Sequence, residues 1–84
     1  MTNRREDLLD DLDRLLEDLC AQWGFCNQLT AADLVSARVA LSDVDFANAV
    51  LEAAKMNPEY EPQWVRRIRE RFAARFGPSI SLAD

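Results

Sequence analysis

The sequence predicts an all-α fold, a small compact four-helix domain. Three observations favour it. The chain has 84 residues, which suits one domain. Its hydrophobic share of 49% is normal for a globular protein. Its apolar residues recur at helical spacing nearly throughout, and only the last residues alternate as a strand would. We therefore expect one helical domain over residues 1–84, with 78–84 as a short C-terminal tail.

The first and longest helix is predicted from about residue 4 to Trp23. Apolar residues recur there every three or four positions, in a stripe broad enough to be buried against two other helices. They are Leu8, Leu9, Leu12, Leu15, Leu16, Leu19, Cys20 and Trp23. Gly24 suits a left-handed residue just past the helix end, from which Phe25 would fold back onto Leu19 or Cys20.

A repeated sequence pattern indicates where the second and third helices begin. Thr30 and Ser42 each follow a leucine and precede an Asp by three residues, which is typical of a capped N-terminus. The second helix is predicted at about 31–40 and is short. The third is predicted at about 43–56, apolar almost all round and therefore central, and an Asn-Pro pair ends it.

The fourth helix is amphipathic and basic. Pro62 suits its first position, where a missing N–H costs nothing, and Gly77-Pro78 ends it. Its apolar stripe consists of Trp64, Val65, Ile68, Phe72 and Phe76.

The predicted core draws on all four helices. It comprises Leu12, Leu15, Leu16, Leu19, Trp23, Leu34, Phe46, Val50, Leu51, Val65, Ile68 and Phe72.

Charge is distributed unevenly along the chain. The net charge is −5, which repels nucleic acid and anionic lipid unless a local basic patch overcomes it. Residues 1–20 carry a net charge of −4, whereas residues 61–76 carry +3.

No apolar run is long enough to span a bilayer, and the charged N-terminus does not resemble a signal peptide. We expect no membrane association and a cytoplasmic location, and the nine-to-one excess of Arg over Lys suggests a GC-rich bacterial genome.

Catalytic and metal-binding chemistry has little support in the sequence. The chain lacks histidine, the commonest general base and metal ligand, and the carboxylates of the first helix spread around its polar face without EF-hand spacing. Cys20 and Cys26 are expected as reduced thiols in the cytoplasm, with a disulfide as the alternative. We expect no enzyme, no catalytic residues, no metal and no cofactor.

The arginines of the fourth helix are the most informative feature. Arg67, Arg71 and Arg75 recur every four residues and form a ridge beside Trp64, and these four are the candidate partner-binding residues. Three explanations are open for the ridge: pairing with the acids of the first helix or with solvent, contact with a protein partner, and contact with phosphates. Arg and Trp are enriched at binding hot spots.

The function predicted from these features is a non-enzymatic protein-binding or regulatory module that acts through the basic surface of the fourth helix. The alternative is a nucleic-acid-associated factor that uses the same ridge, although the low number of cations makes nucleic acid the less favoured partner. The segregated charge also suits a homodimer, in which the acidic first helix of one copy meets the fourth helix of another.

Overall fold

The computed structural model describes residues 4–26, 29–36 and 39–81. The elements in chain order are α1 (Arg4–Trp23), α2 (Ala31–Val35), β1 (Ala40–Ser42), α3 (Asp43–Ala53), a 3-10 turn (Pro58–Tyr60), α4 (Pro62–Phe76) and β2 (Ser79–Ser81). Helices dominate this part of the chain, and the prediction of a small, mostly helical fold with four helices is confirmed.

The two long helices have the predicted bounds. α1 ends at Trp23, and Gly24 follows in the left-handed region with φ of 78°. The N–H of Gly24 donates to the carbonyl of Cys20 at 3.0 Å, and the N–H of Phe25 donates to that of Leu19 at 3.3 Å. Phe25 therefore folds back as expected, and it is buried. α4 begins at Pro62, as the sequence predicts.

The second helix is shorter than predicted, because it ends at Val35 and not at residue 40. Its N-terminus forms the expected capping box: the Thr30 hydroxyl accepts from the Asp33 N–H, and the Asp33 carboxylate accepts from the Thr30 N–H, both at 3.2 Å. Its C-cap, Ser36, already has extended backbone, with ψ of 128°. Residues 37 and 38 lie outside the described part.

A small antiparallel sheet replaces the predicted end of this helix and part of the predicted tail. β1 pairs with β2 so that Leu41 lies opposite Ile80. Both of these side chains are buried, while Ala40, Ser79 and Ser81 are exposed. The pairing buries two apolar side chains that a longer helix and a free tail would leave apart. The rest of the predicted tail beyond residue 81 lies outside the described residues.

The third helix ends at Ala53, three residues before its predicted end. Lys55 adopts a left-handed backbone with φ of 64°. The N–H of Lys55 donates to the carbonyl of Glu52 at 3.0 Å, and that of Met56 donates to Leu51 at 2.9 Å. These two bonds form a Schellman cap, which satisfies the last carbonyls before Asn57-Pro58 is reached.

Most of the predicted core is buried, with three corrections. Leu16, Trp23 and Val65 are only partly buried and pack against the edge of the core. The core gains residues that the helical stripes did not include: Phe25, Ala31, Val35, Leu41, Ala47 and Ile80. α3 is central as predicted, since Phe46, Val50 and Leu51 have no exposed surface.

Candidate functional site

The predicted arginine ridge lies on the side of α4 that faces the C-terminal half of α1. Arg67, Arg71 and Arg75 are all exposed, and each of the last two contacts α1. Arg75 forms an ion pair with Asp18 at 3.5 Å. Arg71 donates a hydrogen bond from Nη2 to the side-chain oxygen of Gln22. The ridge therefore lies on the side of α4 whose side chains contact α1.

Two tryptophans stand beneath the ridge. The guanidinium carbon of Arg67 lies 5.2 Å from the ring centroid of Trp64, and that of Arg71 lies 5.0 Å from the ring centroid of Trp23. Both distances are within the range of cation–π attraction. The two indoles meet edge to face, with centroids 5.5 Å apart. We call these four residues, Trp23, Trp64, Arg67 and Arg71, the Trp–Arg cluster.

The arginines of α4 differ in whether they have an acidic partner. Arg66 pairs with Glu70 at 3.4 Å on the outer face, and Arg69 pairs with Asp43 of α3 at 3.1 Å. The ion pair of Arg75 with Asp18 is the pairing with acids of the first helix that the sequence analysis left open. Arg67 has no ion pair or hydrogen bond to an acidic side chain within residues 4–26, 29–36 and 39–81. The same holds for Arg71, whose hydrogen bond goes to the neutral Gln22, so these two arginines of the ridge have no acidic partner among the described residues.

A shallow surface depression opens at the cluster. Trp23, Arg67, Glu70 and Arg71 line it, and its volume is about 310 Å³. Two guanidinium groups and one indole thus border the same space. Such a place can accept an anionic group by charge-assisted hydrogen bonds and an apolar group by contact with the ring.

Cys20 and Cys26 form a disulfide, so the expectation of reduced thiols is wrong for this structure. The turn at Gly24 reverses the chain after α1 and returns Cys26 to Cys20, with the two Cα atoms 4.4 Å apart. This is within the separation that a disulfide spans. We call residues 20–26 the cystine loop.

Sequence reasoning missed the contribution of the cystine loop to this site. Trp23 was assigned to the core, and Gln22 and Phe25 were given no role at the surface. Phe25 contacts Trp64 edge to face, with ring centroids 5.1 Å apart. The predicted reversal at Gly24 was a signal that Phe25 returns to the bundle, but it could not show which helix Phe25 would meet.

Other kinds of site have no support in the described ranges. No group of three or more His, Cys, Asp or Glu side chains is placed there to hold a metal ion. None of the helices in the part of the chain that is described has the length and apolar character needed to cross a membrane.

Comparison of the chain with protein-family models, with curated proteins and with solved structures finds no match.

Proposed function

We propose that this protein is a non-enzymatic protein-binding module with a regulatory role, and that it binds its partner through Trp64, Arg67, Arg71 and Arg75. The observation that carries the proposal is the environment of the Arg67 guanidinium. Its guanidinium is exposed, lies on the face of Trp64 and has no acidic partner among the described side chains. A guanidinium that is held by a ring but not neutralised retains hydrogen-bond donors for another molecule.

The four residues have different parts in the proposal. Arg67 and Arg71 supply the charge, and Trp64 supplies a half-buried aromatic surface between them and the core. Arg75 belongs to the rim, because Asp18 already shares its charge. Arg and Trp are the residue types that dominate interface energetics. Side chains that are held in place before binding also lose less conformational entropy when the partner binds.

A protein partner is favoured over nucleic acid on electrostatic grounds. The chain carries a net charge of −5, and three arginines of α4 are already paired with Asp18, Asp43 and Glu70. Few cations remain for a phosphate backbone, whose binding rests on many such contacts. A second copy of this chain is the remaining alternative, with the acidic α1 of one copy against α4 of the other.

The cytoplasm is the compartment we propose, as the sequence predicts. Disulfides that form there are in general transient, catalytic or redox-sensing. The Cys20–Cys26 bond would then be one that forms and breaks during the life of the protein.

Affinity capture tests the proposal directly. The tagged protein is used as bait in a lysate of its source organism, with and without nuclease, and captured proteins are then purified and tested for direct binding. We expect a stoichiometric protein that survives nuclease and binds the purified bait. Loss of the captured material on nuclease treatment would instead support the nucleic-acid alternative. Salt-sensitive dimers of the bait alone, with no other protein, would indicate self-association.

A further inference from the structure

The cystine loop supplies one side of the Trp–Arg cluster. Three residues between the two cysteines contact the fourth helix: Gln22, Trp23 and Phe25. Gln22 and Trp23 both contact Arg71. Trp23 and Phe25 both contact Trp64 edge to face. The orientation of Arg71 and one wall of the depression therefore depend on this short segment.

The disulfide is the covalent tie that closes this segment. The loop also has the backbone bonds of Gly24 and Phe25 to the last turn of α1, but the terminal turn of a helix is where local opening is easiest. Breaking the disulfide restores conformational freedom to the chain after Trp23. Cys26 is exposed, so a reductant can reach its sulfur.

The chemistry of the depression indicates what it accepts. Among the described residues, neither Arg67 nor Arg71 has an acidic partner, and Arg71 donates to the neutral Gln22 and lies over the ring of Trp23. Glu70 also lines the space, but it is paired with Arg66 on the outer face. A carboxylate can bind guanidinium groups through paired, charge-assisted hydrogen bonds. The surface therefore fits an acidic segment of a protein.

We propose that the cystine loop and α4 together form a binding site for a carboxylate-rich protein segment, and that reduction of Cys20–Cys26 weakens this binding. The inference rests on the proposed function, and it adds the chemistry of the partner and the redox control of the site. Control follows because the disulfide is the covalent tie of the loop that carries Gln22, Trp23 and Phe25. Without it, only the backbone bonds of the last helical turn hold this loop in place.

The redox step is an ordinary thiol–disulfide exchange. A dithiol gives up two electrons and two protons and becomes a cyclic disulfide. The Cys20–Cys26 sulfur–sulfur bond breaks, and each cysteine gains one proton and becomes a thiol. Oxidation by a disulfide compound reverses the step.

The test is a fluorescence anisotropy titration of the full chain against a labelled decamer of glutamate at fixed salt. Oxidised protein is compared with protein reduced by dithiothreitol and with the Cys20→Ser/Cys26→Ser variant. We expect the oxidised protein to bind. The reduced protein and the double serine variant should each bind about tenfold more weakly, because their binding side chains must be ordered at the moment of binding. A lysine decamer and a ten-nucleotide oligothymidine serve as controls.

The outcomes separate this inference from the proposed function. Equal affinity in the oxidised and reduced forms overturns the redox control. Failure of the glutamate decamer to bind either form, while a captured partner does bind, overturns the acidic-segment assignment and leaves the proposed function standing. Tighter binding of the oligothymidine than of the glutamate decamer overturns both.

A second variant keeps the inference testable if reduction also unfolds the domain, which circular dichroism would reveal. Trp23→Leu leaves both cysteines in place and removes the indole beneath Arg71. We expect it to weaken binding of the glutamate decamer by oxidised protein by about tenfold, with the helical signal unchanged. Unchanged affinity in this variant would show that the loop is not part of the site.

Discussion

Lys55 shows how one residue can set the end of a helix. It has a left-handed backbone with φ of 64°, a conformation that is unfavourable for residues with a Cβ atom and easy for glycine. The Schellman bonds of Lys55 and Met56 to Glu52 and Leu51 hold it there. The backbone of α3 therefore ends in a conformation that its own sequence does not favour.

Replacement of Lys55 by glycine is expected to stabilise the protein. Lys55→Gly removes the Cβ penalty, and we expect about 1 kcal/mol of added stability after the entropy that glycine gains in the unfolded chain. In a domain of this size, that corresponds to a rise in Tm of about 5 °C. The measurement is a thermal melt by circular dichroism, with Lys55→Ala as the control, which should give no such rise. A lower Tm for Lys55→Gly would contradict the left-handed assignment.

Helix caps can be predicted from the sequence where the cap position strongly favours one kind of residue. Thr30, Ser42 and Gly24 were each placed correctly, because hydroxyls at N-caps and glycine at C-caps are specific signals. A lysine in the left-handed region has no such signal. The Cys20–Cys26 disulfide was given only as the alternative, because the compartment received more weight than the turn at Gly24, which brings the two cysteines together.

Among the secondary-structure elements, the small sheet is the main departure from the expected fold. β1 and β2 have three residues each and lie far apart in the sequence. The last residues of the chain do alternate as a strand would, but the three residues of β1 give too little alternation to separate a strand from the end of a helix. Their pairing depends on α3 and α4 bringing the two segments together, which no local pattern reports.

The sheet leads to a stability prediction for its central pair. Ile80 is 9% exposed and lies opposite the fully buried Leu41. We expect Ile80→Ala to destabilise the protein by about 2 to 3 kcal/mol, through lost burial and the cavity that it leaves, and to lower Tm by about 10 °C or more. Ser79→Ala, at an exposed neighbouring position of the same strand, should change Tm by much less. Similar melting of both variants would indicate that β2 is not packed on the core.

The helices themselves were predictable from spacing, and so was the ridge on α4. Four-residue spacing alone places Arg67, Arg71 and Arg75 on one line. The partners of that line were not predictable, because the contacts of Arg71 with Gln22 and Trp23 arise only when the end of α1 meets α4 in the folded chain. The sequence therefore located the α4 side of the candidate site, whereas the side formed by the end of α1 became visible only in the folded structure.

Across the whole molecule, a basic surface is built into an acidic protein. The net charge is −5, yet Arg67 and Arg71 lie together over two indoles with no acidic partner among the described residues. Association with an acidic partner has to work against the repulsion of the whole molecule, so local geometry must carry the recognition. We accordingly propose that one side of α4 binds the partner and the other side does not.

A comparison of two double variants of equal charge tests which side of α4 binds. Arg67→Gln/Arg71→Gln alters the Trp–Arg cluster, whereas Arg66→Gln/Arg69→Gln removes the same charge from arginines that pair with Glu70 and Asp43. The Arg66–Glu70 pair is exposed and contributes little to stability, and glutamine at position 69 can still donate a hydrogen bond to Asp43, so both proteins should fold. Each is used as bait beside the wild type, and the amount of nuclease-resistant partner is quantified by mass spectrometry. We expect the first variant to lose the partner by tenfold or more and the second to retain it. Equal retention by both variants, or equal loss from both, would contradict the assignment of binding to the Trp–Arg cluster.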